Sequence, residues 1–470
     1  MNSKKIAVRY VFLLLASGTL GVLGGCSSVP IVDTFTPPEL PAAFREADPR
    51  WTTASPTEAQ ARSNWWQAFS DPVLDDLIDR ANSGNNNIQQ AGARLEQAKA
   101  LLRGADANRT LQVSANAGAS RQGGALINAI GSSGSLFNTS VNLSYETDLF
   151  GRLAKASDAA AHDAKGREAL MQSARLAVQT DVAQAYFSLR GLDTERAVLR
   201  TALSAQRAAI ELNERRVRAG LISDIDVERQ RMSLTATEAD LATLERQRTQ
   251  NEHALAVLVG EVASSFAVAE RDWTGALPVV PPGIPSTLLA RRPDVAAAQS
   301  SILSARARLG AAQAAWFPSL SLTTSGGYAS PDLSGLFKLS LLDWAVGGVL
   351  SLPLFDGGRR EAGLKGAAAE VDLSLATYRE QVLIAFKDVE DQLGSLRILS
   401  EQADIQSRAL AVATRIVKLS DSRFRSGLSS KLEVLDARQS ELLSERKVVQ
   451  VRASQYQVTV ALVKALGGGW

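Results

Sequence analysis

Two stretches of this chain set acids and guanidiniums around a glycine in the same order: RRVRAGLISDIDVERQR at 215–231 and SRFRSGLSSKLEVLDAR at 422–438. Each has Arg, one residue, Arg, a small residue, Gly and Leu, with Ser three residues after the Gly. Gly220 and Gly427 suit the left-handed position that ends a helix. Ser223 and Ser430 suit the N-cap of a following helix, and Asp226 and Glu433, three residues on, complete S-x-x-D and S-x-x-E capping boxes. Each stretch therefore reads as the tip of a helix–turn–helix. The capping role accounts for Asp226 and Glu433. It does not account for Asp436, one turn deeper, whose counterpart in the first copy is Arg229. By itself Asp436 reads either as a solvated surface acid or as a charge with an electrostatic task. Arg425 alone reads as a cation at a helix C-terminus, worth ~0.3–1 kcal/mol.

Other chemistry is sparse. His162 and His253 are the two histidines, and neither has a second His or Cys at ligand spacing. Nucleophile elbow, phosphate loop and dinucleotide fingerprint are missing from the sequence. Catalysis and metal binding are therefore not expected. The net charge of +2 is too balanced for nucleic-acid binding. With 45% apolar and 21% charged residues the chain has the composition of a folded protein.

The single cysteine, Cys26, carries a covalent expectation. Lys4, Lys5 and Arg9 form a basic start, VFLLLASGTLGVL is an apolar core, and LGGC follows at once. This reads as a lipoprotein signal peptide over 1–25 with acylation of Cys26, as an N-acyl diglyceride and palmitate. An ordinary secretory signal with an incidental Cys is the alternative. A lone exported Cys has no internal disulfide partner, and several acyl chains exceed the two signals that stable anchoring needs. Ser27 and Ser28 follow with no Asp beside Cys26, a pattern that in enterobacterial sorting means release to the outer membrane. No further cofactor is expected.

The elements that carry the tips are duplicated. Residues 181–260 align without a gap on 388–467, and LFGR at 149–152 meets LFDGGR at 354–359. The expected layout is a signal peptide (1–25), an extended lipid-anchored segment (26–64), a first repeat (65–260), a linker (261–285) and a second repeat (286–467). Each repeat opens with a helix (82–108; 286–315). Two alternating segments follow, read as strands at 111–121 and 137–150, then at 318–328 and 343–355. A proline-free helical stretch comes next, from Arg152 to Ala219 and from Arg359 to Ser426. About 67 residues of helix would reach roughly 100 Å. A second helix returns from the tip. In the second copy Leu428, Leu435, Leu442, Val449, Tyr456 and Val463 recur every seven residues, a coiled-coil seam. The fold class is mainly α with β, a duplicated helix–strand–strand–long helical hairpin.

After Cys26 no apolar run is long enough for a spanning helix. Strands would have to close a barrel to cross a membrane, and four cannot; the smallest single-chain barrels have about eight. Either the strands lie in a soluble sheet or two or three chains pool them. Val141, Leu143, Tyr145, Thr147 and Leu149 alternate with Asn142, Ser144, Glu146 and Asp148. The polar set suits a water-filled lumen or bulk solvent equally. Trp316, Phe317, Phe137, Phe150, Trp344 and Phe355 fall at strand ends, where an aromatic girdle would sit.

The signal, NWWQAFSDPVLDDLI, ARRPDVAAAQSSILSARARLGAAQAAWFPSLSLTTSGGY, LPLFDGGRR and FRSGLSSKLEVLDARQSEL occur in this order. Together they resemble the TolC-like outer membrane factors, in the NodT-type lipoprotein branch. The resemblance implies a homotrimer with a twelve-stranded outer-membrane β-barrel continuous with a periplasmic α-helical barrel. It implies an export duct for drugs, toxic compounds or metals, in contact with outer-membrane lipid. Its partners would be a periplasmic membrane-fusion adaptor and an inner-membrane pump. It also implies a periplasmic gate: Asp436 as a three-fold acidic ring, Glu433 as a second ring, Arg425 holding the closed tip through ion pairs, and Asp226 as a pairing partner. Phe424 stands where the family often has Tyr, which puts that hydroxyl's hydrogen bond in doubt. A type I protein-secretion duct keeps the same fold with another cargo. A periplasmic coiled-coil scaffold without a channel is the reading from a different class.

Overall fold

The computed structural model describes residues 44–46, 64–123, 133–271, 273, 275–278, 280 and 291–468. The signal segment 1–25 and Cys26 lie outside them. A short 3-10 turn, Trp65–Phe69, leads into α1 (Pro72–Gly84) and α2 (Asn86–Ala107). The strands β1 (Gln112–Gly123) and β2 (Ser133–Thr147) follow, then the hairpin of α3 (Arg152–Arg218) and α4 (Asp224–Val259). The second copy runs α5 (Pro293–Ala314), β3 (Ser319–Ser330), β4 (Leu342–Ser351), α6 (Arg359–Arg425) and α7 (Lys431–Ala465). The helices α3 and α6 are each 67 residues long, and each remains one unbroken helix.

Element boundaries differ from the sequence reading in several places, with β2 beginning at Ser133 and not at 137, and three of the differences have a clear local reason. The helix expected over 82–108 is broken at Asn85. Its side chain accepts from Asn87 N at 2.8 Å and Ile88 N at 3.3 Å, capping α2. Its Nδ2 donates to the Leu258 carbonyl at 2.7 Å, which ties the break to the end of α4. The strand expected to reach 150 stops at Thr147, because Asp148 turns to cap α3, accepting from Leu153 N and Ala154 N at 3.0 and 2.7 Å. The strand expected to reach 355 stops at Ser351, since Pro353 has no N–H for the ladder. Asp356 then repeats the role of Asp148, accepting from Gly358 N and Arg360 N at 3.0 and 3.2 Å.

The four strands form one antiparallel sheet in the order β1-β2-β3-β4. All four helix–strand junctions therefore lie at one end of the sheet. Register decides the two faces, because residues paired across antiparallel strands point the same way. Ala115 pairs with Val141, Val141 with Gly326, and Gly326 with Trp344. Val113 pairs with Leu143, Leu143 with Thr324, and Thr324 with Val346. One face thus gathers most of the apolar members of every strand, with Leu136, Ala345 and Val349 among those on the other. The opposite face gathers Ser, Asn, Thr and Gly: Ser114 beside Asn142, Asn142 beside Ser325, Ser325 beside Ala345. Exposed aromatics mark both ends. Phe150 stacks on Phe317 at 4.8 Å at the helix end, with Trp316 under the Arg360 guanidinium, while Tyr328 meets Phe337 edge-on at the far end. Among the described residues, the outer edges of β1 and β4 have no strand beside them.

The core lies midway along the long helices. Phe187 of α3 sits 4.8 Å from both Phe69 and Tyr456 of α7, and Trp273 lies 4.2 Å from Tyr456. Contacts of this kind add ~0.5–1.5 kcal/mol each beyond area burial. The 3-10 turn from NWWQAF is thus a wedge shared by both repeats. The helix α3 packs on α2, α4, α5 and α7, and α6 packs on α5 and α7. Because α7 lies against both α6 and α3, a single seven-residue seam does not bury it. Leu442, Tyr456 and Val463 are buried as expected, but Val434, Val451 and Val460 are too, and Leu428 is exposed in the tip turn.

Candidate functional site

The two tips are built alike at the backbone. Gly220 and Gly427 take φ of +72° and +74°. Leu221 N donates to the Arg216 carbonyl and Leu428 N to the Arg423 carbonyl, both at 2.9 Å. These are Schellman closures, which only a residue without a Cβ makes free of strain. Ser223 Oγ accepts from Ile225 N at 3.4 Å and Ser430 Oγ from Glu433 N at 3.3 Å, so both serines cap as expected. The reciprocal half of each capping box is missing: among the described residues neither Asp226 nor Glu433 returns a carboxylate to its cap N–H. Both acids are therefore released from that duty, which the sequence pattern alone had assigned to them.

The side chains of the two tips are wired differently. In the first, Arg231 of α4 reaches across to Glu214 of α3 at 2.7 Å and is also held by Glu228 at 2.7 Å. Beside that pair, buried Asn213 donates to buried Gln230 at 2.9 Å. In the second, Arg425 is 77% exposed and pairs with Asp421 on its own helix. Lys431, the first residue of α7, places its ammonium over the Phe424 ring at 5.0 Å. Burial pushes the Lys431 ammonium below its usual range, Asp421 opposes that, and Arg438 and Arg216 reinforce it. Phe424, without the hydroxyl of a Tyr, thus carries a cation–π contact instead.

Glu433 and Asp436 are both exposed, while Val434 and Ala437 between and beside them are buried. Three apart on one helix, the two acids share a face turned away from the rest of the chain. Asp226 is half-buried in the first turn of α4. Within one chain the structure does not join Arg425 to Asp226, and Asp436 forms no ion pair among the described residues. Sequence reasoning missed Asp421 and Lys431. The available signal was the repeat itself, which sets Lys431 against Asp224 and Asp421 against Glu214.

Above the tips, an ionic junction joins the repeats. Arg446 of α7 donates to Glu195 of α3 at 2.8 Å and to Asp240 of α4 at 2.6 Å. No group of His, Cys, Asp and Glu suited to a metal occurs among the described residues. Among them, no helix is long and apolar enough to cross a membrane.

A family model described as outer membrane efflux protein matches residues 77–261 and 284–468. The chain is 31% identical to the probable efflux pump outer membrane protein TtgC of Pseudomonas putida, over 97% of this chain and 96% of that one. Its structure is similar to the outer-membrane channel OprN, with a TM-score of 0.83 and 28% identity over 93% and 98% of the two chains. It is similar also to the open state of the Neisseria gonorrhoeae MtrE outer membrane channel, with a TM-score of 0.81 and 28% identity over 93% and 98%. Two matched segments that coincide with the duplicated halves, and likeness along nearly the whole length, make the assignment: the chain belongs to the outer membrane efflux protein family.

Proposed function

We infer that this chain is the outer-membrane duct of a tripartite efflux system. The observation that carries the reading is the sheet register. It collects apolar side chains from all four strands on one face and mostly small polar ones on the other, while both edges are unpaired among the described residues. An open edge in lipid costs several kcal/mol per unpaired group, so the sheet has to be closed by further copies. Three copies would supply twelve strands, an even number with room for a water-filled lumen. The apolar face meets lipid and the polar face lines the passage. The acyl chains on Cys26 would hold the assembly to the same membrane.

The long hairpins carry the passage into the periplasm, where an inner-membrane pump and a membrane-fusion adaptor would feed it. The cargo is small molecules, with selection left to the pump. The exposed face bearing Glu433 and Asp436 supports an acidic constriction at the tip, repeated in each copy. Arg425, Phe424 and Asp226 hold that tip shut at rest, and the adaptor opens it. The test is the mass of the detergent-solubilised mature protein, followed by conductance in planar bilayers. Three chains and a conducting particle are expected; a soluble monomer without conductance would overturn the duct. Asp436→Ala with Arg425→Ala is expected to raise conductance, and unchanged conductance would remove the gate assignment. Loss of acyl mass in Cys26→Ser checks the anchor.

A further inference from the structure

The two copies of the tip offer an acid at the same repeat position, Glu214 or Asp421, a choice between two equivalent arginines, and they choose oppositely. In the first copy the acid is Glu214. Its neighbours in the repeat are Arg218, four residues on along α3, and Arg231, across the turn on α4. Glu214 takes Arg231, at 2.7 Å, and so bonds the two helices to each other. In the second copy the corresponding residues are Asp421, Arg425 and Arg438. Asp421 takes Arg425 on its own helix, and the bond across the hairpin is not made.

The difference has a cause in the surrounding residues. Arg231 is steadied by a second acid, Glu228, at 2.7 Å, and the counterpart of Glu228 is Leu435. Arg438 therefore lacks the carboxylate that would hold it toward its partner. Asp421 is also one methylene shorter than Glu214, which favours the near partner on its own helix. Yet Arg438 is not remote. Arg438 holds the repeat position from which Arg231 reaches Glu214 at 2.7 Å, and the Lys431 ammonium feels the charges of both Asp421 and Arg438. Lys431 takes the place of Asp224 in the first copy, so only the second tip has a spare cation to bridge the exchange.

We propose that Asp421 is a two-position charge in the second hairpin, holding Arg425 in the closed tip and passing to Arg438 when Arg425 is drawn away. The exchange leaves the number of ion pairs unchanged. It replaces a bond within α6 by one between α6 and α7, the arrangement that the first hairpin already has. Opening the tip would then draw the second hairpin's own helices together instead of leaving Asp421 unpaired. Asp421 and Arg438 are positioning residues for the gate. The inference rests on the gate reading of Arg425 given above.

The experiment uses the full-length protein in planar bilayers and reads the frequency of full-conductance openings. Arg425→Gln is expected to raise it by about twofold to fivefold per pair, the range that exposed ion pairs support. Arg438→Gln alone is expected to leave the resting frequency unchanged. Added to Arg425→Gln, it is expected to cancel much of the increase, because the open tip then has no second partner for Asp421. If Arg438→Gln is silent in both backgrounds while Arg425→Gln still opens the channel, the exchange is wrong and the gate stands. If Arg425→Gln itself changes nothing, the gate reading falls and the exchange with it. A charge swap, Asp421→Arg with Arg438→Asp in the Arg425→Gln background, should restore the openings lost with Arg438→Gln. Failure of the swap to restore them also counts against the exchange.

Discussion

Arg446 Nε lies 2.8 Å from Glu195 Oε1, and this bond joins the returning helix of the second repeat to the outgoing helix of the first. Glu195 is 5% exposed, and Gln450 donates to the same oxygen at 3.1 Å. One turn away Gly191 faces Ala453, where a Cβ on the glycine would come within 2.8 Å of the alanine methyl. The two helices approach this closely because one of them has no side chain there. A buried carboxylate stripped of its guanidinium is costly, about 3–5 kcal/mol.

The first prediction follows from that junction. Arg446→Met should loosen α7 against α3, seen as faster amide hydrogen exchange in α7 on the tip side of residue 446. Glu195→Gln in the same background should recover much of the loss, since no unpaired charge then remains. Equal exchange in the single and double variants would contradict the account.

A second prediction concerns acid. Arg292 is buried and binds Asp294 at 2.6 Å, Asp388 of α6 at 3.1 Å and the Ala465 carbonyl of α7 at 3.2 Å. Burial alone would raise the Asp294 carboxyl, but the Arg292 guanidinium outweighs it and holds the group below its usual value of 3.8. A carboxyl depressed in the folded state stabilises the fold above its unfolded pKa. That contribution disappears as pH falls through the folded pKa. The junction of α5, α6 and α7 should therefore hold at neutral pH and weaken only below about pH 4. Asp294→Asn should be less stable at pH 7 and should lose that part of the acid dependence, measured by thermal unfolding across pH.

The third prediction separates the faces of the sheet. Val141 and Ser140 are adjacent in β2 but lie on opposite faces. Val141→Arg should cost about 2–4 kcal/mol at mid-membrane and reduce assembly into the outer membrane. Ser140→Arg should leave assembly intact and change conductance instead. Equal assembly of the two variants would place neither face in lipid.

Much of this was legible from residue order. The repeat, the two 67-residue helices, the tip turns and the four strands follow from local rules: helix continuity without proline, Gly at a left-handed position, Ser before a helix, and alternation in strands. Those rules act between residues a few positions apart, so one sequence suffices to read them. The capping boxes were read only in half, because Ser430 and Ser223 cap whether or not an acid answers. The strand ends expected at 150 and 355 lie past those observed, because Asp148 turns to cap α3 and Pro353 has no N–H for the ladder.

What residue order left open was pairing over distance. Whether the polar face of β2 met solvent or joined a larger polar wall depended on register with β1 and β3, which no alternation within β2 encodes. Whether Asp421 turned to Arg425 or to Arg438, and whether Arg446 reached Glu195, depended on how the helices lie side by side. An acid and two arginines stand at equivalent positions in both tips, with Glu214 in one and Asp421 in the other. Which arginine each acid takes was decided in three dimensions: Arg231 crosses the hairpin to Glu214 while also held by Glu228, whereas Asp421 turns back to Arg425 on its own helix.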